Sequence, residues 1–279
     1  MIACQAGARW VWAWLGASAL LVTLAGCGSP GGNWSAGSSA TGRGNDISTA
    51  SDESDARRRA RIRLDLASTY FSQRQYTTAL DEAKIAQSID PTLVGVVELR
   101  ALIYDAMGDQ ARAEEAFKQA LSMESDNASV LHNYGWFECR RKAYDKADAL
   151  LERAASVPLS PTKAKSLLAR GVCQVQAGRW DDAEKSLMRS LEVDSANPAT
   201  GYNLAAVLYH QGEFERARFH IRRVNAVPAQ VTAESLWLAV RIEHKLGNAG
   251  GRDELGAQLR NRFTGSREAT NFELGHFDD

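Results

Sequence analysis

The stretch that decides the fold is Leu131-His132-Asn133-Tyr134-Gly135-Trp136-Phe137-Glu138-Cys139. Its glycine belongs to a series of small residues that recurs about every 34 residues: Ala67, Ala101, Gly135, Gly171, Ala205 and, less closely, Val240. A second series has nearly the same spacing: Ala79, Ala113, Ala147, Ala183 and Ala217. Two independent series with one period are hard to obtain by chance, and a fixed period of roughly 20–50 residues is typical of repeat proteins. The sequence therefore predicts a repeat architecture.

Each repeat is predicted to consist of two antiparallel helices joined by a tight turn. The turns fall at Arg74-Gln75, Gly108-Asp109, Lys142-Ala143, Gly178-Arg179, Gly212-Glu213 and Gly247-Asn248. Glycine at most of these turns is expected where a first helix ends in the left-handed conformation. Small residues on both helices let the two backbones approach each other, and larger side chains fill the space between units.

These features resemble the tetratricopeptide repeat, a helix–turn–helix unit of about 34 residues. The resemblance covers roughly residues 56–263, as five clear units and a degenerate sixth unit that starts near Ala233 and has Arg252 in place of an alanine. It implies an all-α fold, a right-handed solenoid of about six units. Residues 264–279 lose the period, so we expect them to form a loose tail.

Composition and motif content argue against catalysis, metal binding and nucleic-acid binding. The formal net charge is −1, which gives no overall attraction to nucleic acid. The histidines lie at no spacing typical of a metal or nucleophile site: His132, His210, His220, His244 and His276. We expect no enzyme activity, no cofactor, no metal, no small-molecule substrate and no nucleic-acid partner, because the repeats leave no room for a catalytic segment.

The N-terminal residues predict export and lipidation. Arg9 precedes an apolar run, residues 10–24, which ends in Leu24-Ala25-Gly26-Cys27 and so predicts a signal peptide over residues 1–26. The run is short for a membrane span, which needs about 20 residues, although a short span or a buried helix is the alternative. The ending matches the bacterial lipobox, in which the cysteine, here Cys27, is acylated. Gly28 follows where an aspartate would favour the inner membrane, so we expect an anchor in the Gram-negative outer membrane, facing the periplasm.

Residues 27–55, which include the acylated cysteine, are rich in Gly and Ser and are predicted to form a flexible tether. A cluster of arginines then opens the first helix: Arg57, Arg58, Arg59, Arg61 and Arg63. The cluster fits contact with lipid headgroups or with an acidic partner, and it equally fits an ordinary solvated helix face.

The first helix of each unit lines the concave surface of such a solenoid. Placed in the family's register, the inward positions are mostly apolar and aromatic, which indicates a protein-binding groove. The candidate contact residues are Phe71, Leu102, His132, Trp136, Arg140, Val172, Tyr202 and Tyr209. The alternative is that a terminal helix or tail covers this surface, or that tight curvature buries it.

Some tetratricopeptide proteins hold a C-terminal carboxylate through a clamp of Lys, Asn and Arg. Asn133 and Asn203 occupy candidate asparagine positions of this clamp. The neighbouring inner positions carry no cation, having Glu98, Leu102, Leu168 and Val172. Binding of this kind is therefore disfavoured.

Cys139 and Cys173 lie 34 residues apart, on the first helices of adjacent units. An exported protein reaches an oxidising compartment, so this spacing predicts a disulfide between them. Two buried free thiols that behave as small apolar groups are the alternative.

Several segments together resemble a narrower group, the type IV pilus biogenesis and stability lipoproteins, or pilotins. They are Ala60-Arg61-Ile62-Arg63-Leu64, Asn133-Tyr134-Gly135-Trp136-Phe137, Gly171-Val172-Cys173, Leu236-Trp237-Leu238-Ala239-Val240-Arg241-Ile242-Glu243, and Gln258-Leu259-Arg260 with Phe263. The chain departs from the group at Phe263-Thr264, where Phe-Pro is expected. The resemblance implies an outer-membrane lipoprotein whose partner is the pilus secretin subunit, which it helps to localise and multimerise. A general periplasmic scaffold, for example an accessory of outer-membrane β-barrel assembly, is the alternative.

Overall fold

The computed structural model of the chain describes residues 53–277. The predicted signal peptide (1–26), the predicted acylation site Cys27 and the predicted tether up to residue 52 lie outside the described residues. Contacts between residues place all of the described helices in one compact unit, Ser48–Asp279. No helix among residues 53–277 combines the length and the apolar character that crossing a bilayer requires.

The described residues form thirteen α-helices, twelve of which make six antiparallel pairs. The pairs are α1 (Asp55–Ser72) with α2 (Tyr76–Ile89), α3 (Val94–Ala106) with α4 (Gln110–Met123), α5 (Ala128–Arg140) with α6 (Tyr144–Ser156), α7 (Lys163–Gln176) with α8 (Trp180–Val193), α9 (Pro198–His210) with α10 (Phe214–Asn225), and α11 (Ala233–Lys245) with α12 (Ala249–Arg262). The last helix is α13 (Arg267–Leu274). The predicted all-α array of six helix–turn–helix units is confirmed.

The turn inside each unit contains one residue with a positive φ angle. In four units it is a glycine, as at Gly108 (φ 81°) and Gly178 (φ 75°). In the first and third units it is Arg74 (φ 62°) and Lys142 (φ 63°), for which the left-handed conformation costs roughly 1–2 kcal/mol. The packing of the two helices on either side of the turn must offset this cost.

Small residues mark the places where the two helices of a unit cross. Gly135 and Gly171 are both buried there. A Cβ atom added to Gly135 would lie 2.7 Å from Cγ of Leu151, and one added to Gly171 would lie 2.6 Å from Cγ of Leu187. Such distances are too short for carbon atoms, so these two glycines are required by the leucines of the paired helices.

An ion cluster ties the second unit to the third. Glu138 is only 2% exposed, and its carboxylate accepts a hydrogen bond of 2.6 Å from Nζ of Lys146. The same ammonium donates to Glu114 on α4, which also accepts from Arg141. Burial opposes the charge on Lys146, yet these carboxylates outweigh it and raise the pKa of the ammonium. The charge of Glu138 is therefore balanced inside the protein.

Cys139 on α5 and Cys173 on α7 form a disulfide, with their Cα atoms 5.8 Å apart. Both residues are buried in a small cluster that also contains Leu151, and Trp136 packs against this cluster. The disulfide therefore joins the first helices of the third and fourth units next to the concave surface.

The expectation of a loose tail over residues 264–279 is wrong for the residues of α13. Ser266 caps this helix by accepting a hydrogen bond from the backbone N–H of Ala269 (3.0 Å), and Gly275 ends it in the left-handed conformation. The ring of Phe272 occupies the space above Gly256, where an added Cβ would lie 1.9 Å from the ring carbon Cζ. A missing side chain on α12 thus creates the site on which α13 packs.

Candidate protein-binding groove

A cavity of about 340 Å³ opens among the first helices of the third, fourth and fifth units. Its lining residues come from α5, α7 and α9: His132, Asn133, Trp136, Lys165, Leu168, Ala169, Val172 and Asn203. The predicted contact residues Trp136 and Val172 therefore lie in the same cavity, and both are partly exposed. Leu168 precedes Val172 by about one turn of α7 and adds to the apolar surface of the cavity.

A second cavity, of about 350 Å³, adjoins the first because both are lined by Asn203. It extends toward the sixth unit and is lined by Tyr202 together with Thr232 and Glu234. Burial raises the pKa of the Tyr202 phenol, so this side chain is neutral at pH 7. We refer to the two adjoining cavities, with the residues that line them, as the groove.

The floor of the groove is uncharged. His132 is only 5% exposed, and its Nδ1 lies 3.0 Å from Oγ of Ser166 on the next unit. Burial, with a smaller contribution from the charge of Lys165, lowers the pKa of His132 to about 4. The imidazole is therefore neutral at pH 7, and it supports the groove more than it offers surface to a partner.

Lys165 is the one residue lining the first cavity that is charged at pH 7, and no carboxylate lines that cavity. The two asparagines beside it already use their amide groups as donors. Asn133 donates to Glu98 (2.6 Å), and Asn203 donates to the backbone carbonyl of Ala199 (2.8 Å). The geometry thus favours apolar contacts along the groove and offers no complete carboxylate clamp.

Four of the predicted contact residues lie outside the groove: Phe71, Leu102, Arg140 and Tyr209. Phe71 and Leu102 pack against the core of the N-terminal units, and Phe71 also contacts Tyr76, with ring centroids 5.8 Å apart. Arg140 forms an ion pair with Asp105 of the preceding unit. Phe71 thus packs within its own unit and Arg140 reaches the preceding one, and the register of a single unit reveals neither contact.

The C-terminal residues cover the concave face of the sixth unit. The ring of Phe277 lies against His244 and Trp237, with centroids 4.6 and 6.0 Å away. Arg241 donates from Nε to the carbonyl of Phe277 (3.1 Å), and its guanidinium lies 4.9 Å from the ring centroid of Tyr209. Tyr209, a predicted contact residue, is therefore partly covered by Arg241, and it lines neither cavity of the groove.

Three residues that line the groove are absent from the predicted contact residues, although the sequence offers a signal for them: Leu168, Asn203 and Lys165. Leu168 follows from an inward position of the fourth unit, and Asn203 from the asparagine position of the carboxylate clamp. Lys165 precedes Leu168 by almost one helical turn. Lys165 could be found from its position near the start of α7, because α7 and α5 line the same cavity.

Comparisons with known proteins agree on a tetratricopeptide-type repeat fold. A family model described as the Cilia and flagella-associated protein 70 middle TPR-like domain matches residues 98–231. The type IV pilus assembly protein PilF of Pseudomonas aeruginosa is 27% identical over 197 residues, which cover 69% of this chain and 78% of that protein.

Two solved structures are similar over most of the array. The crystal structure of PilW, a widely conserved type IV pilus biogenesis factor, is 30% identical with a TM-score of 0.68, covering 76% of this chain and 97% of that one. The structure of PilF from Pseudomonas aeruginosa has a TM-score of 0.70 at 23% identity, covering 80% of this chain and 100% of that one. The second likeness supports the fold alone.

Proposed function

The chain belongs to the tetratricopeptide-repeat family of the type IV pilus biogenesis factors PilF and PilW, and from this premise we propose that it is an outer-membrane lipoprotein scaffold for the pilus secretin. It binds the secretin subunit in the groove and promotes the localisation and multimerisation of that subunit. It does so by binding, without catalysis.

The observation that carries the proposal is the open, largely apolar groove between α5 and α9. Trp136, Leu168 and Val172 give it a continuous apolar surface over a neutral floor. Large aromatic side chains at the centre of such surfaces often contribute most of the binding energy. A partner segment with an apolar face fits this groove, because desolvation of both surfaces favours the complex.

The anchor in this proposal is acylated Cys27. The lipobox Leu24-Ala25-Gly26-Cys27 and the Gly/Ser-rich residues after it support an anchor followed by a tether. More than one acyl chain on the cysteine makes such an anchor stable, whereas one chain binds only marginally. The groove is then held close to the membrane in which the secretin must assemble.

The proposal is tested by deleting the gene and complementing the deletion with groove variants. Trp136→Ala should weaken secretin binding roughly tenfold or more, and should reduce both secretin multimers and surface pili. Met188→Ala, on the partly exposed face of α8, is the matched control that should behave as wild type. Unchanged secretin multimers and piliation in the deletion strain would refute the proposal.

Co-purification from detergent-solubilised membranes identifies the partner directly. We expect the secretin subunit to co-purify with the wild-type chain and to be lost with Trp136→Ala. Recovery of barrel-assembly components in its place would favour the alternative, a general periplasmic scaffold.

A further inference from the structure

The second helix of the fifth unit, α10, exposes an aromatic ring among arginines. Phe219 is 58% exposed, and Val227, just beyond the end of the helix, is 43% exposed. Arg222 and Arg223 lie about one helical turn from Phe219 and are also exposed. We call these four residues the α10 stripe.

The α10 stripe presents positive charge to the solvent. The guanidinium of Arg223 lies 5.6 Å from the ring centroid of Phe219, and within residues 53–277 it forms no ion pair. Arg222 donates to Glu243 (2.7 Å), but that carboxylate is only 2% exposed and lies beneath the guanidinium. The negative charge is thus buried while the positive charge faces outward.

Two other arginines of α10 are paired. Arg216 pairs with Glu184 of α8 (2.5 Å), and Arg218 pairs with Glu215 on its own helix and lies 3.8 Å from Glu243 of α11. The exposed Glu254 of α12 lines a cavity together with Arg222. Among residues 53–277, Arg223 is therefore the arginine of α10 that forms no ion pair.

Shallow cavities lie on both sides of Arg223. One, of about 240 Å³, is lined by Pro198, Val224 and Val227, and the other, of about 460 Å³, is lined by Phe219 and Arg222. The first of these cavities shares Pro198, Val224 and Gln230 with the second cavity of the groove. The stripe therefore lies next to the groove, on residues that do not line it.

We propose that the α10 stripe binds the surface of an anionic phospholipid bilayer. The guanidinium groups of Arg222 and Arg223 would contact headgroup phosphates, which accept paired hydrogen bonds from arginine. Phe219 and Val227 would enter the boundary between headgroups and acyl chains, as the apolar residues of interfacial helices do.

The size of the stripe favours a bilayer over an acidic protein. A stable protein interface buries about 800 Å² on each partner, contributed by some 20–30 residues, and four side chains cannot supply that area. Contact with a lipid surface needs no such area, because each cation near an anionic bilayer contributes separately. The contact acts together with the acyl anchor proposed above.

The test uses the chain of residues 28–279, which retains the compact unit Ser48–Asp279 and lacks any acyl group. Its co-sedimentation is measured with vesicles of phosphatidylethanolamine and phosphatidylglycerol, and with vesicles of phosphatidylcholine alone. We expect binding to the anionic vesicles that weakens with added salt, and little binding to the neutral ones.

Two stripe variants and one matched control decide the result. Arg223→Glu should weaken binding to the anionic vesicles roughly tenfold or more, and Phe219→Ala should weaken it several-fold. Lys185→Glu makes the same charge change at the position of α8 that corresponds to Phe219 one repeat earlier, and it should have a much smaller effect. All of the substituted side chains are exposed, so circular dichroism should report an unchanged fold.

Equal binding to both kinds of vesicle would overturn the proposal, as would equal effects of Arg223→Glu and Lys185→Glu. Absence of vesicle binding would also overturn the proposal and would favour an acidic protein surface as the partner of the stripe. The assay contains no secretin, so its outcome is independent of the function proposed for the groove.

Discussion

Replacing Gly135 by alanine is expected to destabilise the wild-type chain, because the new methyl group would overlap Leu151. The added Cβ would lie 2.7 Å from Cγ and 3.0 Å from Cδ2 of Leu151, and 3.3 Å from the carbonyl oxygen of Ala147. Overpacking of this kind costs about 1–3 kcal/mol. The higher helix propensity of alanine returns about 1 kcal/mol, so the net loss of stability is about 1 kcal/mol.

The same substitution should be stabilising once Leu151 is replaced by alanine. Leu151 is fully buried, so Leu151→Ala alone should cost about 2–5 kcal/mol. In that background the methyl group of Ala at position 135 enters vacated space, and the helix-propensity gain of about 1 kcal/mol remains. The first unit has this combination at the corresponding positions, Ala67 and Ala83. The coupling between the two substitutions is therefore about 2 kcal/mol.

Urea unfolding followed by circular dichroism measures this cycle, with the disulfide kept oxidised in all four proteins. Equal slopes against urea would show that the substitutions change stability and not the extent of unfolding. Gly250→Ala is the control, because an added Cβ there meets no atom closer than 4.0 Å and should stabilise by up to about 1 kcal/mol. The reasoning is refuted if Gly135→Ala has the same effect with Leu151 present and absent.

Three further measurements test other parts of the structure. Reduction of the Cys139–Cys173 disulfide, which closes a loop of 34 residues, should lower the free energy of unfolding by about 3.5 kcal/mol, seen as a lower urea midpoint. Because the pKa of His132 is lowered from 6.5 to about 4 in the folded chain, only the unfolded chain binds that proton between these pH values. Stability should fall by about 3 kcal/mol as the pH drops through this window, and His132→Gln should remove that part of the pH dependence of urea unfolding. Gly256→Ala should displace Phe272 and detach α13, which limited proteolysis would detect as early cleavage near the C-terminus, while the core of the array stays protected.

The fold could be predicted from the sequence because its determinants recur. The two series of small residues gave the register of the first five units, and Val240 extended one of them to the sixth. The positive φ angles fall in the predicted turns even where the residue is Arg74 or Lys142. The short helix α13 was missed because it has no repeat, and its packing depends on a missing side chain at Gly256. The absence of a side chain at a single position of α12 leaves no periodic signal in the sequence.

The candidate site was predictable only in part, for a related reason. Repeat register identifies which side chains face inward, and Trp136, Val172 and Tyr202 do line the groove. It does not identify which inward side chains a neighbouring element will cover. Arg241 of the next unit partly covers Tyr209, and Arg241 in turn donates to the carbonyl of Phe277, which lies outside the repeat.

The disulfide links the third and fourth units covalently, whereas the units on either side of them are held to their neighbours by non-covalent contacts alone among residues 53–277. In a solenoid each unit contacts only its neighbours, so tension passes from unit to unit along the chain. A pull on the N-terminal end would reach the groove through the first two units, which are joined by packing and by polar contacts such as that of Arg100 with Gln87. These units would separate before the junction between Cys139 and Cys173, so the part of the groove between α5 and α7 would keep its shape.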